Sequence, residues 1–197
     1  MKADSEKRII GICGSLRKGS FNRILLKAAQ ENAPIGMKIE LYEEMASIPL
    51  FNEDLELETG GAPEVVRRLR DQVKQSHGIL IVTPEYNQSI PGVLKNTIDW
   101  LSRFAPDDIL DGKPVAIMGA TPGRWGTRLS QAATRQTLFS TGTLLLPTPM
   151  MFVGEVAKLI DKDDRLIDER TLASLKKVLI AFSSWIELLE NRASQSR

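Results

Sequence analysis

The sequence has little of the two residue types that most often build metal centres. It contains one cysteine, Cys13, and one histidine, His77, in 197 residues. A single cysteine excludes an internal disulfide, and a zinc site needs a cluster of cysteine or histidine that this chain lacks. We therefore expect no metal site, and chemistry that comes from other side chains or from a bound cofactor.

An excess of charge of one sign is also missing. The 26 basic and 25 acidic residues leave a formal net charge of +1, which does not provide the basic field that nucleic-acid binding requires. No stretch approaches the roughly 20 apolar residues that span a bilayer, and the first residues lack the apolar core of a signal peptide. We expect a cytoplasmic protein that binds neither nucleic acid nor membrane.

Length and composition fit one compact domain. Hydrophobic residues make up 42% and charged residues 26% of the chain, as in ordinary soluble proteins. A chain of this length is short for two domains. We expect a single domain over residues 1–197, with residues 1–7 disordered and residues 192–197 forming a tail.

Short apolar runs alternate with segments of helical pattern along the chain. The predicted strands are residues 9–13, 37–41, 78–82, 113–118 and 143–146, and the predicted helices are residues 20–31, 63–76, 93–104, 128–139 and 169–189. Residues 43–58 follow neither period and are predicted to form a long surface loop.

This alternation implies parallel strands joined by right-handed crossovers, with helices on both faces of the sheet. Five such strands predict an α/β flavodoxin-like three-layer sandwich with strand order 2-1-3-4-5. Ligands of that fold bind beyond the carboxyl ends of strands one and three, where the order reverses. The candidate binding loops are therefore residues 14–22 and 83–92.

The first loop has the composition of a phosphate site. It joins a buried strand to a helix start, where backbone N–H groups and the helix dipole favour an anion. Ser15, Ser20 and Asn22 add hydrogen-bonding side chains, and Arg17 adds a positive charge. In the alternative interpretation, Ser20 or Asn22 only caps the helix. The glycine spacing fits neither the Walker nor the dinucleotide motif, which favours a mononucleotide.

The second loop, residues 83–92, contains two prolines, an aromatic residue and several polar groups. Prolines restrict the dihedral angles of their neighbours, so the amides of Glu85, Tyr86 and Asn87 are expected to be held against the edge of a flat heterocycle. Isoalloxazine has such an edge. Taken alone, the loop fits a tight turn with capping residues equally well.

Three stretches together carry a family resemblance: Gly14-Ser-Leu-Arg-x-x-Ser-x-Asn22, Thr83-Pro-Glu-Tyr-Asn-x-Ser-x-Pro-Gly92 and Leu94-Lys-Asn-x-Ile-Asp-Trp100. In this combination the chain resembles the NAD(P)H-dependent FMN reductases, which include chromate, quinone and azo reductases. The resemblance implies that Ser15, Arg17, Ser20, Phe21 and Asn22 hold the FMN phosphate, that Pro84, Glu85, Tyr86 and Asn87 line the isoalloxazine, and that Thr121 approaches the flavin.

The resemblance also implies an activity. Hydride would pass from NADPH or NADH to the flavin, which carries the chemistry without a catalytic side chain. The acceptor would then take the place of the nicotinamide, which predicts ping-pong kinetics. Implied acceptors are quinones, free flavin, azo compounds and metal oxyanions such as chromate. A homodimer or homotetramer is expected, because flavin sites of this kind are completed by a neighbouring subunit.

Some positions depart from the family pattern. Arg124 and Trp125 stand where smaller apolar residues are expected, and Ala132 falls where some relatives carry a tyrosine at a subunit contact. Arg17, Arg103 and Arg124 are candidates to meet the 2′-phosphate of NADPH.

Two other functions stay open at this point. A flavodoxin-like electron carrier would bind the same cofactor without using nicotinamide, although such carriers are usually strongly acidic. A binding protein without flavin is the other alternative.

Overall fold

The computed structural model describes residues 6–103 and 108–195. Within them, six strands form one parallel sheet. They are β1 Lys7–Cys13, β2 Met37–Leu41, β3 Gly78–Val82, β4 Pro114–Ala120, β5 Leu144–Leu145 and β6 Met151–Val153. The order β2-β1-β3-β4-β5 confirms the predicted flavodoxin-like topology.

Helices cover both faces of the sheet. They are α1 Phe21–Glu31, α2 Glu53–Glu58, α3 Glu64–Gln75, α4 Gly92–Leu101, α5 Arg128–Phe139 and α6 Glu169–Gln195. Successive side chains of a strand point to opposite faces. Ile9 and Leu80 therefore pack with α1 and α6 in one apolar cluster, while Ile10 and Ile79 pack with α3 and α4 in the other. This double cover explains why β3 is buried at every position.

The end of the sheet differs from the prediction. The expected strand at 143–146 shrinks to Leu144–Leu145, and β6 then pairs with the carboxyl half of β4. Pro147 and Pro149 interrupt the ladder between them, because proline has no N–H to donate. A three-residue strand after two prolines gives too little periodicity to be detected from sequence.

The prediction that residues 43–58 form a long surface loop is wrong. This segment contains a 3-10 turn at Met45–Ser47 and α2, whose first turn is capped by the side chain of Asn52. The segment is fixed to α4 by three hydrogen bonds. Asn96 Nδ2 donates to Pro49 O at 2.8 Å, and Asn96 Oδ1 accepts from Phe51 N at 2.7 Å. Trp100 Nε1 also donates to Pro49 O, at 2.9 Å. A six-residue helix is too short to show a helical period.

The two ends of the described chain also correct the predictions. Lys7 was expected to be disordered, yet it opens β1, is buried and pairs with Glu187 at 2.7 Å. Helix α6 continues past residue 189 to Gln195. The predictions for residues 1–5, 104 and 196–197 lie outside the described residues. Across residues 6–103 and 108–195, each helix is too short or too polar to span a bilayer.

Candidate active site

A cleft lies where β1, β3 and β4 reach their carboxyl ends. Its volume is about 320 Å³, within the range of small-molecule sites. It is lined by Ser15, Arg17, Ser20, Phe21, Asn22, Pro84, Glu85, Tyr86, Ala120, Thr121 and Pro122. Nine of the ten predicted site residues thus surround one cavity, and Asn87 is the exception. Ala120 and Pro122 were missed, although their place at the end of a buried strand was a usable signal.

The N-terminus of α1 forms one end of the cleft. The Ser20 hydroxyl caps this helix by accepting from Arg23 N at 3.4 Å. The N–H groups of Phe21 and Asn22 belong to the first turn and have no partner within the helix. That turn contains no acidic residue, so its partial positive charge is uncompensated. This end of the cleft is therefore suited to an anion.

Arg17 adds a full positive charge to the same end. Its guanidinium lies over the ring of Phe21, with the carbon 5.1 Å from the ring centroid. Its backbone N–H faces the Ser15 hydroxyl at 3.4 Å. Ser15 and Ser20 are both buried and line the cleft together with Arg17. The loop thus places two hydroxyls and one cation at the helix terminus, a combination that suits a phosphate.

Asn22 has a role that the sequence did not reveal. Its side-chain oxygen accepts from Ala120 N at 2.8 Å, and its amide donates to Ala120 O at 2.9 Å. This pair of bonds joins α1 to the end of β4 across 98 residues of sequence. The side chain holds residues 14–22, the predicted phosphate loop (hereafter the phosphate loop), against the end of β4. The backbone N–H of Asn22 is then the group that this residue has available for an anion.

Glu85 caps a different helix from the second loop. Its Oε2 accepts from Leu129 N at 2.8 Å and from Ser130 N at 3.0 Å, in the first turn of α5. The N-cap residue of α5, Thr127, makes no side-chain capping bond. Glu85 therefore supplies the missing acceptor and a negative charge, and it holds the second loop against α5.

The tip of the second loop is a tight turn whose residues Asn87 and Gln88 are not part of the cleft lining. Tyr86 and Ser89 exchange backbone hydrogen bonds of 3.3 and 3.0 Å, and Asn87 and Gln88 between them have φ values of +49° and +61°. Two successive positive φ angles define a type I′ turn. Asn87 therefore sits at the tip of a hairpin, and Tyr86 is the last residue of this loop to reach the cleft.

Thr121 belongs to a third loop, residues 121–127 between β4 and α5, whose first half is held by backbone hydrogen bonds to residues 153–156. Thr121 N donates to Val153 O at 2.9 Å, Val156 N donates to Thr121 O at 3.2 Å, and Glu155 N donates to Gly123 O at 2.9 Å. The loop thus presents Thr121 on a fixed backbone. Trp125 in the same loop is 75% exposed.

Gly119 permits this crowded arrangement. A Cβ at that position would lie 2.2 Å from Thr127 Oγ1 and 2.2 Å from Thr83 O. Such distances are far below van der Waals contact, so only glycine lets β4 approach the second loop and α5 this closely.

Of the three arginines considered for a nicotinamide phosphate, only Arg17 lines the cleft. Arg103 is held by Glu56, with Nε 2.9 Å from Oε2, and lies over Phe51. Its hydrogen bond to Glu56 raises the pKa of the guanidinium. Arg124 is exposed in the third loop.

Cys13 lies directly beneath the phosphate loop. Its Sγ is 3.7 Å from Ser15 O and 4.0 Å from the Ser20 hydroxyl. Burial raises the pKa of this thiol, so it stays protonated at neutral pH and behaves as a small core residue.

The arrangement fits FMN. One end offers helix N–H groups, hydroxyls and a guanidinium for a phosphate, and the other offers rigid backbone for a flat ring. The family model described as NADPH-dependent FMN reductase matches residues 7–158. The chain belongs to this family. It is an NAD(P)H-dependent oxidoreductase that uses FMN, as the resemblance implied.

Individual relatives agree with the family. The NAD(P)H-dependent FMN reductase of Pseudomonas aeruginosa is 40% identical over 182 residues, which cover 92% of this chain and 96% of the relative. The quinone reductase of Escherichia coli K12 is 40% identical over 185 residues, 93% of this chain and 97% of the relative. The solved structure of FerB, an NAD(P)H:acceptor flavoenzyme of Paracoccus denitrificans, has a TM-score of 0.83 and 36% identity, covering 92% and 97%.

Proposed function

We propose that this reductase, as one FMN-binding domain, transfers electrons from NADPH or NADH to quinones. The observation that carries the proposal is the convergence of nine predicted residues on one cleft at the switch point of the sheet. Relatives named quinone reductase support this choice of acceptor. In the balanced reaction, NAD(P)H, one proton and a quinone give NAD(P)⁺ and a hydroquinone. Free flavin, azo compounds and metal oxyanions are proposed as further acceptors.

The phosphate end of the cleft would anchor the cofactor. The first-turn N–H groups of α1, the hydroxyls of Ser15 and Ser20, and the guanidinium of Arg17 provide donors to a dianionic phosphate. Asn22 keeps these donors in place through Ala120. The chain therefore orients the cofactor by its phosphate and leaves the ring to the two other loops.

At the ring end of the cleft, the chain would position the flavin ring and stabilise its reduced form. FMN, when bound, supplies the redox chemistry by accepting hydride and passing electrons on. Tyr86 N donates to Ser89 O, so the backbone N–H of Glu85 is the group of the second loop that would serve as a preorganised donor to the ring, in a segment fixed to α5 by the Glu85 carboxylate. The carboxylate of Glu85 is already committed to α5, so we assign it a positioning role.

One cleft must serve both substrates, so the nicotinamide has to leave before the quinone binds. Steady-state rates measured against NADPH at several quinone concentrations are expected to give parallel double-reciprocal lines. Lines that intersect to the left of the axis would contradict a shared site.

Replacing Arg124 by Gln tests the choice of nicotinamide: a rise in KM for NADPH without one for NADH would assign the 2′-phosphate to Arg124.

We also propose that a second copy of the chain covers the cleft in a homodimer or homotetramer. Four exposed apolar residues lie in or beside the three loops: Leu16, Tyr86, Trp125 and Leu129. Exposed apolar groups gathered at one site are typical of an interaction surface. Light scattering measures the oligomeric state, and a monomer at micromolar concentration would refute this part.

A cytoplasmic location is proposed as well, to be tested by cell fractionation.

A further inference from the structure

A second groove runs beside the phosphate loop and continues along α1 as far as Glu31. Its volume is about 260 Å³, and its opposite wall is the turn at residues 163–166, which precedes α6. Ser20, Ile24 and Lys27 in its α1 wall are three or four residues apart and so share one face of the helix. The groove is thus built from two separate parts of the chain.

The groove is continuous with the proposed phosphate site. Ser20 lines both cavities, and Lys18 and Gly19 form the end of the groove nearest to it. A Cβ added at Gly19 would meet no atom within 4 Å. A ligand whose phosphate is held at Ser20 can therefore continue into the groove without meeting a side chain at residue 19.

The wall opposite α1 is rigid. Asp161 Oδ1 accepts from the backbone N–H groups of Asp163 and Arg165, each at 2.9 Å. Ile160 and Leu166 form an antiparallel bridge that closes the turn. Arg165 is therefore carried on a fixed backbone at the edge of the groove.

The lining combines cations with an apolar floor. Ile24, Ala28 and Leu166 are buried beneath the groove. Arg23 is paired with Glu43. In contrast, Lys18, Lys27 and Arg165 form no ion pair with any residue of 6–103 or 108–195, and all three are exposed. A single cation on a surface is usually only solvated. Three cations around one cavity with apolar residues at its base favour a ligand that combines an anionic group with a flat apolar group.

Acidic residues mark the far end of the groove. Glu31 is eleven residues beyond Ser20 on α1, which corresponds to about 16 Å of helix. Asp163 and Asp164 line the same groove from the turn. Carboxylates accept hydrogen bonds from hydroxyl and amino groups. Along α1 the groove therefore runs from the phosphate loop past Lys27 to Glu31, and the turn opposite provides both a cation, Arg165, and acceptors, Asp163 and Asp164.

We propose that this groove binds the AMP half of FAD, so that the protein accepts FAD as well as FMN. The inference rests on the proposed FMN site, because the AMP half is bonded directly to the flavin phosphate. Lys18, Lys27 and Arg165 meet the second phosphate, the adenine packs on the apolar floor, and the carboxylates accept from the ribose hydroxyls and the adenine amino group.

The test is a calorimetric titration of the flavin-free protein with FMN and, separately, with FAD. FAD is expected to bind the unchanged protein at least as tightly as FMN does. The double variant Lys27→Gln/Arg165→Gln is expected to raise the Kd of FAD about tenfold, the effect of two exposed charge contacts. Its Kd for FMN should stay within about twofold, a difference near the error of such a measurement. Lys162→Gln removes a charge directly before the turn, at a residue outside the groove lining, and is the control for the loss of a nearby surface charge.

Three results would overturn the proposal and leave the FMN site standing: FMN binds and FAD does not, the double variant weakens both flavins equally, or it raises the KM of NADPH without changing the Kd of FAD. The last result would assign the groove to the nicotinamide nucleotide. If neither flavin binds, the proposed function fails together with this inference.

Discussion

The N-terminus of α1 lines the cleft, whereas the N-terminus of α5 is bonded to Glu85 of the second loop, and the two helix ends are completed in different ways. At α5 the carboxylate of Glu85 takes two first-turn N–H groups at 2.8 and 3.0 Å and adds a negative charge. At α1 the Ser20 hydroxyl takes one N–H at 3.4 Å, and the first turn contains no acid. The chain therefore satisfies α5 itself and leaves α1 available to an anion.

The largest effect is expected from Gly119→Ala, which drives a methyl group into Thr127 and the second loop. Overpacking of this kind is expected to cost about 3 kcal/mol of unfolding free energy, because both neighbours are held by other bonds. Urea unfolding measures it. Gly123→Ala in the neighbouring loop is the control, since its Cβ would meet only Thr121 Oγ1 at 3.7 Å. Equal stability of the two variants would show that α5 is not fixed by this contact.

Asn22→Ala should have the next largest effect, because it leaves the N–H and C=O of Ala120 without their side-chain partner. Two buried groups left unpaired are expected to cost about 2 to 3 kcal/mol, and FMN affinity should fall as the phosphate loop loosens. Asn32→Ala removes a single bond to Ala28 O at the other end of α1 and serves as the control. If both variants unfold at the same urea concentration, the clamp to β4 does not position α1.

Ser20→Ala tests the open helix terminus directly. Loss of the cap is expected to cost about 1 kcal/mol, and loss of a phosphate contact should raise the Kd of FMN about tenfold. Riboflavin, which has no phosphate, should bind the variant as it binds the unchanged protein. Ser140→Ala, at the far end of α5, controls for loss of a hydroxyl. A variant that weakens riboflavin and FMN equally would place the phosphate elsewhere.

Glu85→Gln should have the smallest effect. The amide oxygen still accepts from α5, so only the charge at the helix terminus is lost, at a cost of about 0.5 kcal/mol. That cost should shrink in high salt, which thermal unfolding at two ionic strengths will show. The Kd of FMN should be nearly unchanged. A loss of FMN affinity larger than that of Ser20→Ala would reverse the roles assigned to the two helix termini.

The sequence was sufficient for features that are encoded locally. Buried apolar runs and helical stripes predicted the strand order, and a loop rich in serine and glycine before a helix predicted that a cleft lies at the N-terminus of α1. Binding of an anion there stays a prediction. Contacts between distant residues were not predictable: the bonds of Asn22 to Ala120 and of Glu85 to α5 span 98 and 44 to 45 residues. Short elements such as α2 and β6 were missed because they are held by neighbours and show no period of their own.

Mixing the FMN-loaded protein with NADPH or NADH without oxygen, while following the visible absorbance of the flavin, tests the proposed electron transfer most directly. We predict rapid bleaching by at least one nicotinamide and full recovery when a quinone is added. If FMN binds in the cleft and neither nicotinamide bleaches it, the protein is an electron carrier and the proposed reductase activity is wrong.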